Sequence, residues 1–230
     1  MLHPQGGLRV SPIESVILTG AEIDQIAGLL TLRERQTLVI YGTGETLGVL
    51  DQNPVFDVLA PETVDRRAIE IGTVFHPCEG LDAELFVVPG KVPLYLEGEH
   101  LDLARDTDTN VGVEICAGGA RLAFVPGAAS LTPELKQRLA GCDVIMFDGT
   151  LFTDDEMMRT GTGSKTGRRM GHMPIDGPDG SLAALADIPG RRIYLHINNT
   201  NPILVKGTPE RLRVEAAGWE VAEDGLQVVL

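Results

Sequence analysis

Val144-Ile145-Met146-Phe147-Asp148-Gly149-Thr150 places four apolar residues ahead of an acid, a glycine and a hydroxyl. A short apolar run of this kind reads as a buried strand. The polar residues that follow it stand at a strand's carboxyl end, where α/β folds gather their ligands. Gly149 permits close backbone approach there. Asp148 is then either a group that holds a cation or the start of an Asx-turn, and the segment alone leaves both readings open.

The same rhythm continues outward. Residues 132–140 and 180–186 have helical spacing, 191–197 form another apolar strand, 209–217 a further helix, and 219–222 and 227–229 short closing strands. Toward the amino terminus, 13–19 read as a buried strand and 21–34 as an amphipathic helix that turns Ile23, Ile26, Ala27, Leu29 and Leu30 inward. Residues 37–41 form a strand, after which Thr43 caps a helix running to about Leu50, with Glu45 in its first turn. In the middle, 81–88, 92–96, 110–116 and 121–125 read as strands with a turn at Gly118-Gly119, and the five carboxylates of 97–108 mark a solvated loop. Strands alternating with helices predict an α/β fold with helices on the outer faces of sheets, in a single domain spanning residues 1–230.

The chain of 230 residues carries a formal charge of −14, which disfavours a nucleic-acid partner because such binding depends on neutralising phosphates with Lys and Arg. Three scattered cysteines, no apolar run long enough for a membrane span and no leader-like amino terminus point to a cytoplasmic protein.

Three further segments carry chemistry. In Val16-Ile17-Leu18-Thr19-Gly20-Ala21-Glu22-Ile23-Asp24-Gln25, Glu22 and Asp24 open a helix, where they either aim carboxylates into a cleft or complement the helix dipole. Ile193 to Pro202 ends an apolar strand in His196, Asn198, Asn199, Thr200 and Asn201, more polar side chains than a turn needs, so His196 is a ligand or a satisfied core residue. The loop from Gly163 to Pro174 concentrates Lys165, Arg168 and Arg169 beside His172. It lacks the Lys that a Walker A loop places after its second Gly, which excludes nucleotide binding on that motif. Its two arginines can instead dock carboxylates through bidentate hydrogen bonds, with His172 as proton donor, acceptor or metal ligand.

Four blocks in order resemble one family: the stretch from Glu22 to Glu34, Phe147-Asp148-Gly149-Thr150-Leu151, Lys165 to Met173, and His196-Ile197-Asn198-Asn199-Thr200-Asn201-Pro202. They are similar to the coenzyme PQQ synthesis protein B family of the metallo-β-lactamase superfamily. That resemblance implies an αββα sandwich with a metal site at the edge between two sheets. It implies Asp24, Asp148 and His196 as metal ligands for Fe(II) or Zn(II), and Asp24, Asp148 and His172 as the catalytic set. Arg168, Arg169, Asn198, Asn199, Thr200 and Asn201 would then bind a small acidic substrate. The implied function is a part in making pyrroloquinoline quinone from a Glu-Tyr precursor, by iron-dependent oxygenation of the tyrosine-derived ring or, alternatively, by carriage of the quinone or its precursor toward the periplasm.

Departures from the family pattern go with the matches. Gln25 stands where the family carries His, and Gly20 and Glu22 occupy the other His positions of HxHxDH, which lowers the expected metal affinity. The family's Cys-rich opening segment is not matched, so the first sheet is expected to be incomplete at its amino-terminal edge. The strand at 13–19 would then be open to pairing, in a homodimer for example.

Overall fold

The computed structural model describes residues 11–90 and 109–229, so the strand expected at 92–96 and the loop at 97–108 lie outside the described residues. Two sheets form. The first is all parallel, β1 (Ser15–Ile17), β2 (Leu38–Gly42) and β3 (Val64–Ala68), in that spatial order. The second holds β4 (Val74–Cys78), β5 (Leu81–Val87), β6 (Val111–Ala117), β7 (Ala120–Val125), β8 (Val144–Asp148), β9 (Arg191–Leu195) and β10 (Trp219–Val221). Its neighbours run antiparallel from β4 to β7 and parallel from β7 to β10. The helices are α1 (Ile23–Ile26), α2 (Gly44–Asp51), α3 (Pro133–Ala140), α4 (Glu156–Arg159), α5 (Ser181–Ala184) and α6 (Pro209–Ala216).

Side chains alternate along each strand, and this alternation builds the layers. On β2, Val39 and Tyr41 face the second sheet and meet Phe75, Leu85, Val111 and Val113. Leu38 and Ile40 face the other way, onto Leu29, Leu47, Leu50 and Phe56. In the second sheet, Ala123, Ile145, Phe147 and Tyr194 face a separate core shared with Leu135, Leu139, Leu185 and Val214 of the outer helices. Helix, sheet, sheet, helix is the expected αββα order.

Thr43, Thr132 and Thr208 cap α2, α3 and α6, each hydroxyl accepting from a backbone N–H three residues on, a contribution of about 1 kcal/mol apiece. Among the described residues no helix is long and apolar enough to cross a membrane. Among the described residues β1 lies at the edge of its sheet, with β2 as its strand neighbour, and just beyond it a Gly20–Asn110 bridge leads toward β6.

The structure corrects several expectations. The helix expected over 21–34 is α1 continued by a 3-10 helix, Ala27–Leu32. A 3-10 helix repeats every three residues, which sets Leu29 beneath Ile26 on the buried face and leaves Ala27 exposed; Ile23, which opens the element, is 66% exposed. β3 and β4 have no counterpart in the sequence reading, because Val-Asp-Arg-Arg-Ala and Val-Phe-His-Pro-Cys each bury a single residue and show no apolar run. The helix expected over 180–186 shrinks to α5, and residues 227–229 form no strand.

Candidate metal centre

β8 and β9 are parallel neighbours with Asp148 opposite Leu195, so the ends of both strands open on the same side. Gly149 donates its N–H to the Leu195 carbonyl at 2.8 Å. A Cβ at Gly149 would lie 3.0 Å from that oxygen and from the Tyr194 side chain, so only glycine lets the two chains leave this closely. His196, the next residue after β9, adopts the left-handed conformation with φ of 54°, and its ring meets the Asp148–Thr150 turn. His172 arrives from the long loop. A 3-10 turn at Arg168–Met170 ends at Gly171 (φ 90°), and the backbone of Met173 is pinned to the Ala128 carbonyl at 2.6 Å.

Asp148 is wholly buried. Its Oδ2 accepts from the Ala128 N–H at 3.0 Å and lies 2.8 Å from His172 Nδ1, and its Oδ1 accepts from the Thr150 N–H at 3.1 Å and hydroxyl at 2.6 Å. The Thr150 oxygen is also 2.9 Å from His196 Nδ1, and His196 Nε2 is 2.8 Å from Asp24 Oδ2. The two imidazoles stack with ring centroids 5.3 Å apart. Among the described residues Asp148, His172 and His196 each offer a ligand atom within 4.8 Å of the others. Tetrahedral nitrogen and oxygen ligands at about 2.0–2.2 Å sit roughly 3.3–3.6 Å apart, so the group would draw together by up to about an ångström to close on one cation.

The electrostatics match the contacts. Burial by itself would raise the Asp148 carboxyl, yet the charge and hydrogen bond of His172, with the nearby His196 ring and the hydrogen bond of the Thr150 hydroxyl, hold it well below the usual carboxylate range. The hydrogen bond to His196 lowers Asp24. His196 is pushed up to about 10, first by Asp148 and then by Asp24, against the opposing effect of burial. An ordinary histidine titrates near 6.5, so the stability this proton adds is complete below that pH and drains away as pH rises through about 10. Chemical denaturation of metal-free protein is expected to show a loss on the order of a few kcal/mol across that interval. A His196→Gln variant should lack the slope, and the same slope in the variant would contradict the assignment.

The group lies on the wall of a cleft of about 740 Å³ that is also lined by Glu22, Asp24, Gln25, Met157, Lys165 and Met170. The expected site residues distribute unevenly around it. Asp148 and His196 stand together as read, joined by His172, while Asp24 reaches the far nitrogen of His196. Asn198 and Asn199 line the cleft. Thr200 instead donates to the buried Glu156 at 2.6 Å, and Asn201, 2% exposed, donates to the Gly149 carbonyl at 2.8 Å, so both hold the loop. Arg168 and Arg169 are not among the lining residues; the Arg168 guanidinium donates to the Asp179 carbonyl at 3.2 Å, and among the described residues the cation that lines the cleft is Lys165. The Gln25 side chain lines the cleft, but its Oε1 atom is buried against Gly20 with no hydrogen-bond partner among the described residues. Lys165 and Thr150 were legible as a loop cation and a strand-end hydroxyl, but nothing in the spacing aimed either at the cleft.

Comparison with known proteins agrees with this geometry. The family model described as the β-lactamase superfamily domain matches residues 1–197. Curated relatives bearing the description coenzyme PQQ synthesis protein B include one from Methylobacterium radiotolerans, 53% identical over 230 residues, covering 100% of this chain and 77% of the relative. Another, from Rhizobium meliloti, is 56% identical over 224 residues, covering 97% and 74%. The crystal structure of Zn(2+)-bound PqqB from Methylobacterium extorquens superposes with a TM-score of 0.97 at 51% identity, covering 100% of this chain and 77% of that one. The Bacillus subtilis metallo-β-lactamase fold protein YhfI, at 15% identity and a TM-score of 0.62 over 93% of this chain and 76% of that one, shares the fold.

Proposed function

Because this chain belongs to the coenzyme PQQ synthesis protein B family, within the β-lactamase superfamily, we propose that it takes part in making pyrroloquinoline quinone as a metal-dependent enzyme acting on an acidic, tyrosine-derived precursor. The observation that carries the reading is the group of two imidazoles and one carboxylate beside an open cleft. Two histidines and a carboxylate with open positions suit non-haem Fe(II), and the same donors suit catalytic Zn(II). The zinc-bound relative supports a metal here.

Asp148, His172 and His196 would hold the cation, with Asp24 adding an oxygen beside His196. Bound Fe(II) would supply the redox chemistry needed to oxygenate a phenol ring with dioxygen. The chain's own groups do the rest. Lys165 offers a cation to a substrate carboxylate, and Asn198 and Asn199 offer amides. Met157 and Met170 form an apolar wall suited to a flat ring.

Anaerobic reconstitution with Fe(II), followed by the Glu-Tyr precursor, dioxygen and ascorbate as the two-electron reductant that releases the second oxygen atom as water, is expected to give a product heavier by one oxygen in mass spectrometry, and none with His172→Ala. Tight calorimetric binding of the quinone to metal-free protein, with no turnover in the reconstituted sample, would overturn the enzyme in favour of a carrier.

A further inference from the structure

We propose that Thr150 is the positioning residue of this centre: its hydroxyl links the Asp148 carboxylate to His196 Nδ1 and thereby fixes Nε2 as the nitrogen that His196 presents to a cation. The inference rests on the metal-site reading above and adds to it a residue and a direction.

Hydrogen-bond bookkeeping carries the argument. A threonine hydroxyl has one proton to give and two lone pairs to accept with. Two acceptors compete for the Thr150 proton, Asp148 Oδ1 at 2.6 Å and the His196 carbonyl at 3.1 Å. The charged and closer carboxylate takes it. The threonine oxygen then faces His196 Nδ1 at 2.9 Å and His172 Nδ1 at 3.1 Å with lone pairs alone, so a nitrogen bonded to it must carry the proton. His172 Nδ1 lies closer to Asp148 Oδ2, at 2.8 Å, and donates there. His196 Nδ1 is 3.9 Å from Asp148 Oδ1, beyond hydrogen-bond reach, so Thr150 carries the link to the carboxylate. Both rings therefore keep Nδ1–H, and His196 Nε2 carries a second proton, which it donates to Asp24 Oδ2 at 2.8 Å. A cation entering there takes the place of the proton between those two atoms.

Thr150 suits the task mechanically. It is 7% exposed, so water does not compete for the hydroxyl, and its branched side chain is stiff about χ1. Its backbone is held separately, the N–H by Asp148 and the carbonyl by the Asn198 N–H at 3.0 Å, so exchanging the side chain leaves the turn anchored.

The test uses Thr150→Val, which keeps the shape and loses the hydroxyl, and Thr150→Ser, which keeps the hydroxyl. In metal-free protein labelled with 15N-histidine, wild type and Thr150→Ser are expected to show a His196 Nδ1 proton protected from exchange, and Thr150→Val to lose it. Zn(II) titration is expected to show affinity falling roughly 10–100-fold in Thr150→Val and staying within about threefold in Thr150→Ser. Absence of the protected proton in wild type, or equal zinc affinity in wild type and Thr150→Val, would overturn the proposal. A protected proton in a wild type that binds no zinc would instead count against the metal site itself.

Discussion

Replacing Asp148 with alanine is expected to destabilise the protein by about 3–5 kcal/mol, because removing one partner of a buried charged pair strands the other without solvent. The carboxylate is wholly buried and satisfies the N–H groups of Ala128 and Thr150, the Thr150 hydroxyl and the His172 ring. Alanine leaves the two backbone N–H groups without their acceptor, turns the Thr150 hydroxyl to the His196 carbonyl at 3.1 Å, and removes the anion beside His172 and His196. At roughly 2–4 °C per kcal/mol for a chain of this size, the melting temperature should fall by about 6–20 °C. Zinc binding should be lost in whatever fraction stays folded. Asp148→Asn keeps the volume and one carbonyl oxygen, so it should melt between the two while binding zinc no better than the alanine variant. An unchanged melting temperature for Asp148→Ala would mean that the carboxylate is not the hub described.

A second large effect separates the core from the centre. Trp219 on β10 is 2% exposed and stacks on Tyr194 with ring centroids 3.9 Å apart and planes 12° from parallel. Tyr194 is buried in turn, and its hydroxyl is 2.9 Å from Ser181 Oγ on α5. Trp219→Ala is expected to cost about 3–5 kcal/mol, since the stack has no other filler and the cavity cannot collapse onto a sheet. The indole Nε1 is buried without a partner, a position that costs about 1–3 kcal/mol as it stands. Trp219→Phe removes that unpaired group together with some volume and should therefore cost much less than alanine. Denaturant titration measures both. Zinc affinity of the folded Trp219→Ala protein should match wild type within a few-fold, because Trp219 does not line the cleft. Loss of zinc binding in that variant while folded would show that the core and the centre are not separable.

These particulars also show what was legible in the chain. β8 could be read because a strand buried on both faces is continuously apolar, and β9 from its buried Ile193-Tyr194-Leu195 after two arginines; their polar ends then announced Asp148 and His196. Thr43 was legible as a cap because its side-chain chemistry is local. β3 and β4 were not, since each buries one side chain and owes its place to strand partners distant in sequence. Asp24 was legible as an acid opening a helix, but its role as a ligand entered through family resemblance, its helix being a single turn with little periodicity. The position of His172 depends on a left-handed Gly171 and a backbone bond to Ala128, and neither leaves a mark in spacing. The same holds for the loop cations. Charge density singled out Arg168 and Arg169, whereas the fold turns Lys165 to the cleft.

Anomalous diffraction from crystals soaked in Zn(II) or, anaerobically, in Fe(II) tests the central claim most directly. One peak is expected on the cleft wall, about 2.0–2.2 Å from a nitrogen of His172, a nitrogen of His196 and an oxygen of Asp148. No peak there, with the His196–Asp24 hydrogen bond still closed, would contradict it.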